Sequence, residues 1–220
     1  MSKRIVPTSS PRFQYGLFWS ILVASFLGLL WYRLTFHAPV WVDEMIAKAA
    51  IFGFPVILFL RTHHLSSSKI GFSKATFWSG AYRGLAIGGL FGFTAMIASR
   101  LHHSSVLIPN LFSSPLFWWT FFLAMVTAWW ESLFFYGLVQ TVLTKLFNNE
   151  VKTLIFTTLI FVVFHAPRLL LMQGVGSIPS LCLLGLFALG QAIVFARTKS
   201  LTTIMVSHAF WGMALLVYTL

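Results

Sequence analysis

The sequence is poor in charge, and above all in acidic residues. Only 9% of its 220 residues are charged, with 4 Asp or Glu against 15 Lys or Arg and a formal net charge of +11. Soluble domains average about 25% charged and about 45–50% apolar residues, whereas this chain is 58% hydrophobic. A soluble domain of this size has too little interior to bury so much apolar surface. The composition therefore excludes an ordinary soluble protein and indicates an integral membrane protein.

Cysteine is almost absent as well, since Cys182 is the one thiol of the chain. An intrachain disulfide is therefore excluded. The excess of cations lies in short breaks between apolar runs and does not form a basic face. This distribution is typical of topology signals and of contacts with anionic lipid, and it argues against a nucleic-acid partner.

Apolar runs long enough to cross a bilayer, which takes about 20 residues, recur along the whole chain. We predict an all-α transmembrane helix bundle with about seven spans, or eight if the long fourth run is split. No change in composition marks a second domain, so residues 1–220 are predicted to form a single membrane domain. The predicted spans cover residues 14–32, 45–60, 77–99, 115–146, 152–166, 177–196 and 201–219.

The positions of Lys and Arg in the breaks predict the orientation. With the N-terminus in the cytoplasm, 10 cations lie in inner segments, and the outer segments hold 3, namely Arg33, Arg100 and Arg168. Lys48 and Arg83 are interpreted as side chains near span ends that reach the interface. The positive-inside rule therefore favours a cytoplasmic N-terminus, and we expect the plasma membrane as the location.

Two local patterns also carry predictions. Gly84, Gly88 and Gly92 recur every four residues, which is typical of helices that pack closely in membranes. Pro167 is expected to end the fifth helix, because the residue before a proline avoids the α-helical region. His165 would then lie in the last turn of that helix.

Glu131, His165 and His208 are the ionisable side chains predicted to lie well inside the spans. A charge at that depth costs at least about 2.5–3.5 kcal/mol, so such residues face the bundle interior and often have a function. At about 1.5 Å of rise per residue, Glu131 and His165 lie at similar depths, with His208 about two turns nearer the inner end. We expect one site that holds all three, with buried packing partners as the structural alternative.

A glutamate with two histidines suits two kinds of chemistry. A carboxylate in an apolar bundle can act as a general base without any cofactor, which is the first interpretation. Two histidines and one glutamate are also a known catalytic zinc set, so a zinc ion at Glu131, His165 and His208 stays open as an alternative. The chain has no His-Glu-x-x-His pattern, so an ordinary zinc peptidase has no support.

Three motifs in order resemble the CAAX protease and bacteriocin-processing (CPBP) family of glutamate-dependent intramembrane endopeptidases. The family pattern is Glu-Glu-x-x-x-Arg, then Phe-x-x-x-His, then an Arg-Thr-x-Ser-Leu segment that leads to His-x-x-x-Asn. The resemblance covers residues 115–219, and residues 1–114 contain spans without a signature. The matching stretches are Glu131 to Gln140, Phe161 to His165, and Arg197 to Leu201 followed by His208.

The resemblance implies an intramembrane endopeptidase related to the type II CAAX prenyl endopeptidases. Such an enzyme hydrolyses a peptide bond of a membrane-associated protein or peptide, so lipid and such a substrate are the expected partners. The resemblance also implies roles for the three side chains. Glu131, assisted by His165, would activate water, and His208 would stabilise the oxyanion.

The chain departs from the family pattern at three positions. Ser132, Tyr136 and Gly212 stand where the family has Glu, Arg and Asn. The first two changes remove one anion and one cation together, so neither partner is left unpaired in the membrane. Together with Phe161 and Trp211, these three residues are predicted to line the site.

Two other functions remain as alternatives. One is a catalytically inactive CPBP-like membrane protein that binds peptides or partner proteins through the altered site. The other is a small proton-coupled transporter in which Glu131 is the protonation site. Inverted repeats and paired broken helices, which are typical of transporters, are not evident in the sequence.

Overall fold

The structure is a computed structural model that describes residues 15–103 and 114–219. Every regular element in these two ranges is helical, in agreement with the predicted all-α class. The long helices of the described ranges are numbered here in chain order. They are α1 (Tyr15–Thr35), α2 (Val40–Thr62), α3 (Phe77–His103), α4 (Pro115–Phe147), α5 (Glu150–Gln173), α6 (Ile178–Thr198) and α7 (Leu201–Thr219).

Five of the helices in the described ranges are long and apolar enough to cross a membrane, namely α1, α2, α4, α5 and α6. These five candidate spans support an integral membrane protein. Helices α3 and α7, of 27 and 19 residues, pack against each other and against the same bundle. The fourth apolar run forms one continuous helix of 33 residues.

Two predicted helix boundaries were wrong. Helix α5 continues through Pro167, so His165 lies about two turns before the helix end. Proline removes one backbone donor, and neighbouring helices or polar side chains in a membrane bundle can satisfy the groups that it releases. Helix α2 begins at Val40 and not at residue 45, so Glu44 and Lys48 both lie inside it.

Wide π-helical segments interrupt α2 and α4. They cover Asp43–Ala47 and Ala49–Gly53 in α2, on either side of Lys48, and Leu133–Gln140 in α4, just after Glu131. Such segments are rare and occur frequently at functional sites, because they change the direction in which nearby side chains point. Both helices therefore depart from regular geometry beside the same pair of ionisable residues.

An aromatic core holds α2, α4 and α5 together. Phe135 of α4 lies with its ring centroid 5.5 Å from Phe52 of α2 and 4.8 Å from Phe161 of α5. Phe134 and Phe164 complete the cluster, and their ring centroids lie 5.7 Å apart. Close packing of large buried rings fixes the relative positions of these helices. The polar site described below is built on this core.

Small residues of α3 allow α7 to approach closely, as the glycine spacing predicts. A Cβ added at Gly84 would lie 2.6 Å from Cβ of Val206 and 2.8 Å from the carbonyl oxygen of Thr203. A Cβ at Gly88 would lie 2.5 Å from Cβ of Phe210. At Gly92, in contrast, no described atom lies within 4 Å. The close contact therefore centres on the first two glycines of the pattern.

We expect Gly84→Ala to lower stability by about 1–3 kcal/mol, because its Cβ overlaps backbone and branched side chain that cannot move independently. Gly89→Ala is the matched control, since a Cβ at Gly89 meets nothing within 4 Å. That control should be neutral or stabilising, because alanine is the better helix former. Thermal unfolding of both variants in the same detergent measures the difference, and equal melting temperatures would contradict the α3–α7 contact.

Candidate active site

The structure brings Glu131, His165 and His208 together from three helices. Oε2 of Glu131 lies 3.5 Å from Nε2 of His165 and 3.6 Å from Nε2 of His208. Glu131 and His208 are buried, and His165 is partly exposed. One carboxylate oxygen therefore faces both imidazole rings, and His208 reaches it despite its expected lower depth.

Lys48 is a fourth member of the cluster, and its interpretation as an interfacial side chain was wrong. Its residue exposure is only 6%, and Nζ lies 2.8 Å from Oε1 of Glu131. The same Nζ lies 2.5 Å from Oε2 of Glu44, one turn earlier on α2. The Thr127 hydroxyl of α4 donates a hydrogen bond to that Oε2. A chain of polar contacts thus links α2 and α4 and ends on Glu131.

The ring of His165 is held in a defined orientation by Phe161, one turn earlier on α5. Nδ1 of His165 lies 2.8 Å from the carbonyl oxygen of Phe161, and the two rings are stacked with centroids 4.3 Å apart. A carbonyl only accepts, so Nδ1 carries the proton. In the neutral ring, Nε2 then presents a lone pair to Glu131.

The ring of His208 has the opposite arrangement. Nδ1 lies 3.3 Å from the hydroxyl oxygen of Ser132, and the ring packs 4.9 Å from Phe187. Nε2 faces the Glu131 carboxylate, which only accepts, so the neutral ring that satisfies both contacts carries its proton on Nε2 and accepts from the Ser132 hydroxyl at Nδ1. The two histidines therefore present one acceptor and one donor to the same carboxylate oxygen.

A cavity of about 320 Å³ opens beside these groups. Its polar side chains come from α2, α4, α5 and α7, and its apolar walls also include residues of α6. Of the residues predicted to line the site, three do so. The walls include Glu44, Lys48, Thr127, Glu131, His165, Arg168, His208, Phe161, Trp211 and Gly212.

The other two predicted lining residues, Ser132 and Tyr136, are fully buried behind the cavity. The Tyr136 hydroxyl lies 3.5 Å from the carbonyl oxygen of Ala188, which connects α4 to α6. At Gly212, an added Cβ would lie 3.3 Å from Cβ of Ala124 on α4. A larger side chain at 212 would therefore need a small shift of α4.

Among the described residues, no group of three or more His, Cys, Asp or Glu is positioned to hold a metal ion. The ammonium group of Lys48 already lies against Glu131, and a metal cation on the same carboxylate would be repelled by it. The polar groups that line the cavity are thus carboxylates, imidazoles, the ammonium group of Lys48, the guanidinium group of Arg168 and threonine hydroxyls.

Sequence reasoning missed Glu44, Lys48 and Thr127. Their signal was present, because Glu44 and Lys48 stand four residues apart and therefore lie on one face of a helix, where opposite charges compensate each other. Lys48 was assigned to a span end, since charged residues normally mark one, and Glu44 lies just before the predicted span 45–60. Thr127 likewise precedes Glu131 by four residues, so each helix contributes two groups one turn apart.

A comparison with protein-family models matches residues 113–214 to the family described as type II CAAX prenyl endopeptidase Rce1-like. The matched range contains Glu131, His165 and His208. Searches of curated proteins and of solved structures give no match. Proteases of the matched family are not known to need a cofactor. The match and the motifs that it covers support membership of this chain in the CPBP/CAAX protease family of membrane-embedded endopeptidases.

Proposed function

We propose that the protein is an intramembrane endopeptidase that hydrolyses a peptide bond of a membrane-associated protein or peptide. The observation that carries this proposal is the position of Oε2 of Glu131, which faces His165 and His208 at 3.5 and 3.6 Å beside a cavity inside an apolar bundle. The protein acts as one membrane domain over residues 1–220, with its catalytic core in residues 115–219. Its N-terminus is cytoplasmic, in the plasma membrane.

Water activation follows from the two acceptors that face the cavity. A water molecule there donates its hydrogens to Oε2 of Glu131 and to the lone pair of Nε2 on His165. As the water oxygen attacks the peptide carbonyl carbon, Glu131 takes the proton. That proton is then delivered to the leaving nitrogen when the carbon–nitrogen bond breaks. The products are a carboxylic acid and an amine, and Glu131 returns to its starting state.

The oxyanion formed during attack needs a hydrogen-bond donor. Nε2 of His208 fills this role in the tautomer that carries the ring proton there, in which Nδ1 accepts from the Ser132 hydroxyl. Preorganised donors of this kind are effective in a site with little water, since no solvent has to reorient as charge develops. Ser132, which replaces the second motif glutamate, thereby acquires a role in orienting His208.

The walls of the cavity suit an apolar substrate. Leu123, Leu184, Phe187 and Trp211 line it alongside the polar groups, and the rings of Phe187 and Trp211 are stacked 4.8 Å apart. Ligand cavities are typically apolar with a few polar groups that fix orientation. Such walls fit a substrate with aliphatic or aromatic side chains next to the scissile bond. We therefore expect the cleaved segment of the substrate to lie where its chain enters or leaves the bilayer.

The proposal is tested with purified protein in lipid nanodiscs and a library of lipid-anchored peptides, with new termini identified by mass spectrometry. We expect cleavage by the natural sequence and a loss of about 10²-fold in kcat for His165→Gln, because an amide oxygen is a far weaker proton acceptor than imidazole Nε2. His37→Gln is the matched control, since His37 is exposed in the α1–α2 connection. It should retain full activity.

The outcomes separate the three functions. Peptide binding without cleavage by the natural sequence would identify a non-catalytic member of the family and overturn the proposal. Proton-coupled flux into proteoliposomes that disappears in a Glu131 variant would instead identify a transporter. Cleavage that survives His165→Gln at the natural rate would leave the peptidase function but remove the proposed water-activating pair.

A further inference from the structure

Lys48 lies in an environment where an isolated ammonium group would be very unfavourable. It is buried within the bundle, in a helix long and apolar enough to cross the membrane. A buried charge persists only where opposite charges and hydrogen bonds compensate it. Lys48 has two such partners, Glu44 at 2.5 Å and Glu131 at 2.8 Å. The ammonium therefore lies between two carboxylates, one on its own helix and one on α4.

The partner on the same helix is itself held in place. Glu44 precedes Lys48 by four residues, and Thr127, four residues before Glu131, donates to the Glu44 carboxylate. The two groups of α2 thus face the two groups of α4, with four polar side chains in contact. Neither flanking helix turn is regular, because π-helical segments adjoin Lys48 on both sides. The arrangement fixes both the direction and the depth of the ammonium group.

The contact with Lys48 makes the two oxygens of Glu131 different. Oε1 is bound by the ammonium group, whereas Oε2 faces the histidines and the cavity. We propose that Lys48, oriented by Glu44, is a positioning residue that holds the Glu131 carboxylate with Oε2 directed at the reacting water. This inference rests on the proposed peptidase function and adds Glu44 and Lys48 of α2 to the proposed site.

The pair on α2 supplies the two charges that positions 132 and 136 lack. One acid and one cation are missing from the motif helix, where Ser132 and Tyr136 stand. The buried Tyr136 hydroxyl is close enough to interact electrostatically with Glu131, so a cation at 136 would also reach that carboxylate. One acid and one cation reappear as Glu44 and Lys48. The net charge around Glu131 is thus the same as in the family motif, but the two charges come from α2 and not from α4.

The test uses substitutions that keep the buried charge balanced. Glu44→Gln with Lys48→Met removes one anion and one cation together, so the bundle keeps its net charge. We expect kcat to fall by about 10–100-fold with an unchanged KM, because the base is present but misdirected. Lys48→Arg should retain most of the activity. Arg33→Met with Asp43→Asn, which removes an ion pair between α1 and α2 without a contact to Glu131, is the matched control.

Restoring the motif gives the second arm. Tyr136→Arg, added to the Glu44→Gln and Lys48→Met variant, should recover part of the lost kcat, because it returns a cation beside Glu131 and leaves the contact of Ser132 with His208 in place. A purely structural role for the α2 pair predicts instead that activity follows the amount of folded protein and that Lys48→Arg behaves like Lys48→Met. Natural kcat in the folded Glu44→Gln and Lys48→Met variant would overturn the proposal.

A third arm does not depend on activity. Melting temperatures are compared for Lys48→Met, Glu131→Gln and the variant with both changes. Lys48→Met alone should lower the melting temperature by about 10 °C, and by less than half of that when Glu131 is already Gln. Additive shifts would overturn the contact even if the protein cleaves peptides. Non-additive shifts in a protein that cleaves nothing would reject the peptidase function and keep the electrostatic link between α2 and Glu131.

Discussion

Glu131→Gln is expected to abolish peptide cleavage, with a loss of about 10⁴-fold in kcat, which is the upper end of what a general base contributes. Glutamine keeps the size and hydrogen-bonding capacity of the side chain but cannot take a proton from water. The fold should survive, because Glu44 still compensates the charge of Lys48 at 2.5 Å. Initial cleavage rates and thermal unfolding of the same preparations measure the two effects separately.

Glu150→Gln provides the matched control for that substitution. Glu150 begins α5, is exposed and lies 3.4 Å from Arg197, so its neutralisation changes a surface ion pair of small energetic value. Its cleavage rate should equal that of the natural sequence. If Glu131→Gln retains more than about a tenth of the natural rate, well above the range for a lost general base, another group activates the water.

Lys48→Met is expected to have the largest effect on stability, with a loss of about 3–5 kcal/mol. Removal of the ammonium leaves two buried carboxylates, Glu44 and Glu131, without the cation that separates them. Their repulsion at low dielectric constant and their lost contacts act in the same direction. Chemical or thermal unfolding in detergent measures the change, and proteolysis of the variant in membranes provides an independent measurement.

Lys152→Met is the corresponding control, since Lys152 is an exposed lysine of α5. Surface substitutions of this kind usually change stability by no more than about 0.5 kcal/mol. Equal stabilities of the Lys48→Met and Lys152→Met variants would mean that the ammonium of Lys48 is not buried between the two carboxylates. A large loss for Lys48→Met alone would establish that α2 is electrostatically coupled to the motif helix.

The acidic side chain at the centre of the site could be recognised from the sequence. Few charges occur in this chain, so Glu131 stood out as an acid in an apolar segment, and position along the helices supplied His165 and His208 as partners. The presence of the helices could also be predicted from the sequence, because an apolar run of about 20 residues has the length that a bilayer-spanning helix needs. Burial in lipid makes both kinds of inference simpler than in a soluble protein.

Other features could not be predicted, for identifiable physical reasons. The rule that a proline ends a helix reflects a lost hydrogen bond and a steric clash, and at Pro167 the surrounding bundle accommodates both. Lys48 was assigned to the interface because a lone lysine at depth is unfavourable, and only the three-dimensional contact with Glu131 shows how its charge is compensated. The π-helical segments could not be predicted either, because their residue composition does not distinguish a widened helix from a regular one.

The wide segment Leu133–Gln140 makes the site sensitive to chain length as well as to side-chain identity. After this segment in the chain, Val142 and Leu143 are buried in the core, and before it Glu131 lines the cavity. One residue fewer between these points would let the segment close into regular α-helix and turn Glu131 by about 100° around the helix axis. The number of residues in this segment sets the rotation of α4 about its axis, and that rotation determines whether Glu131 faces the cavity, as the proposed base must, or is only a buried charge.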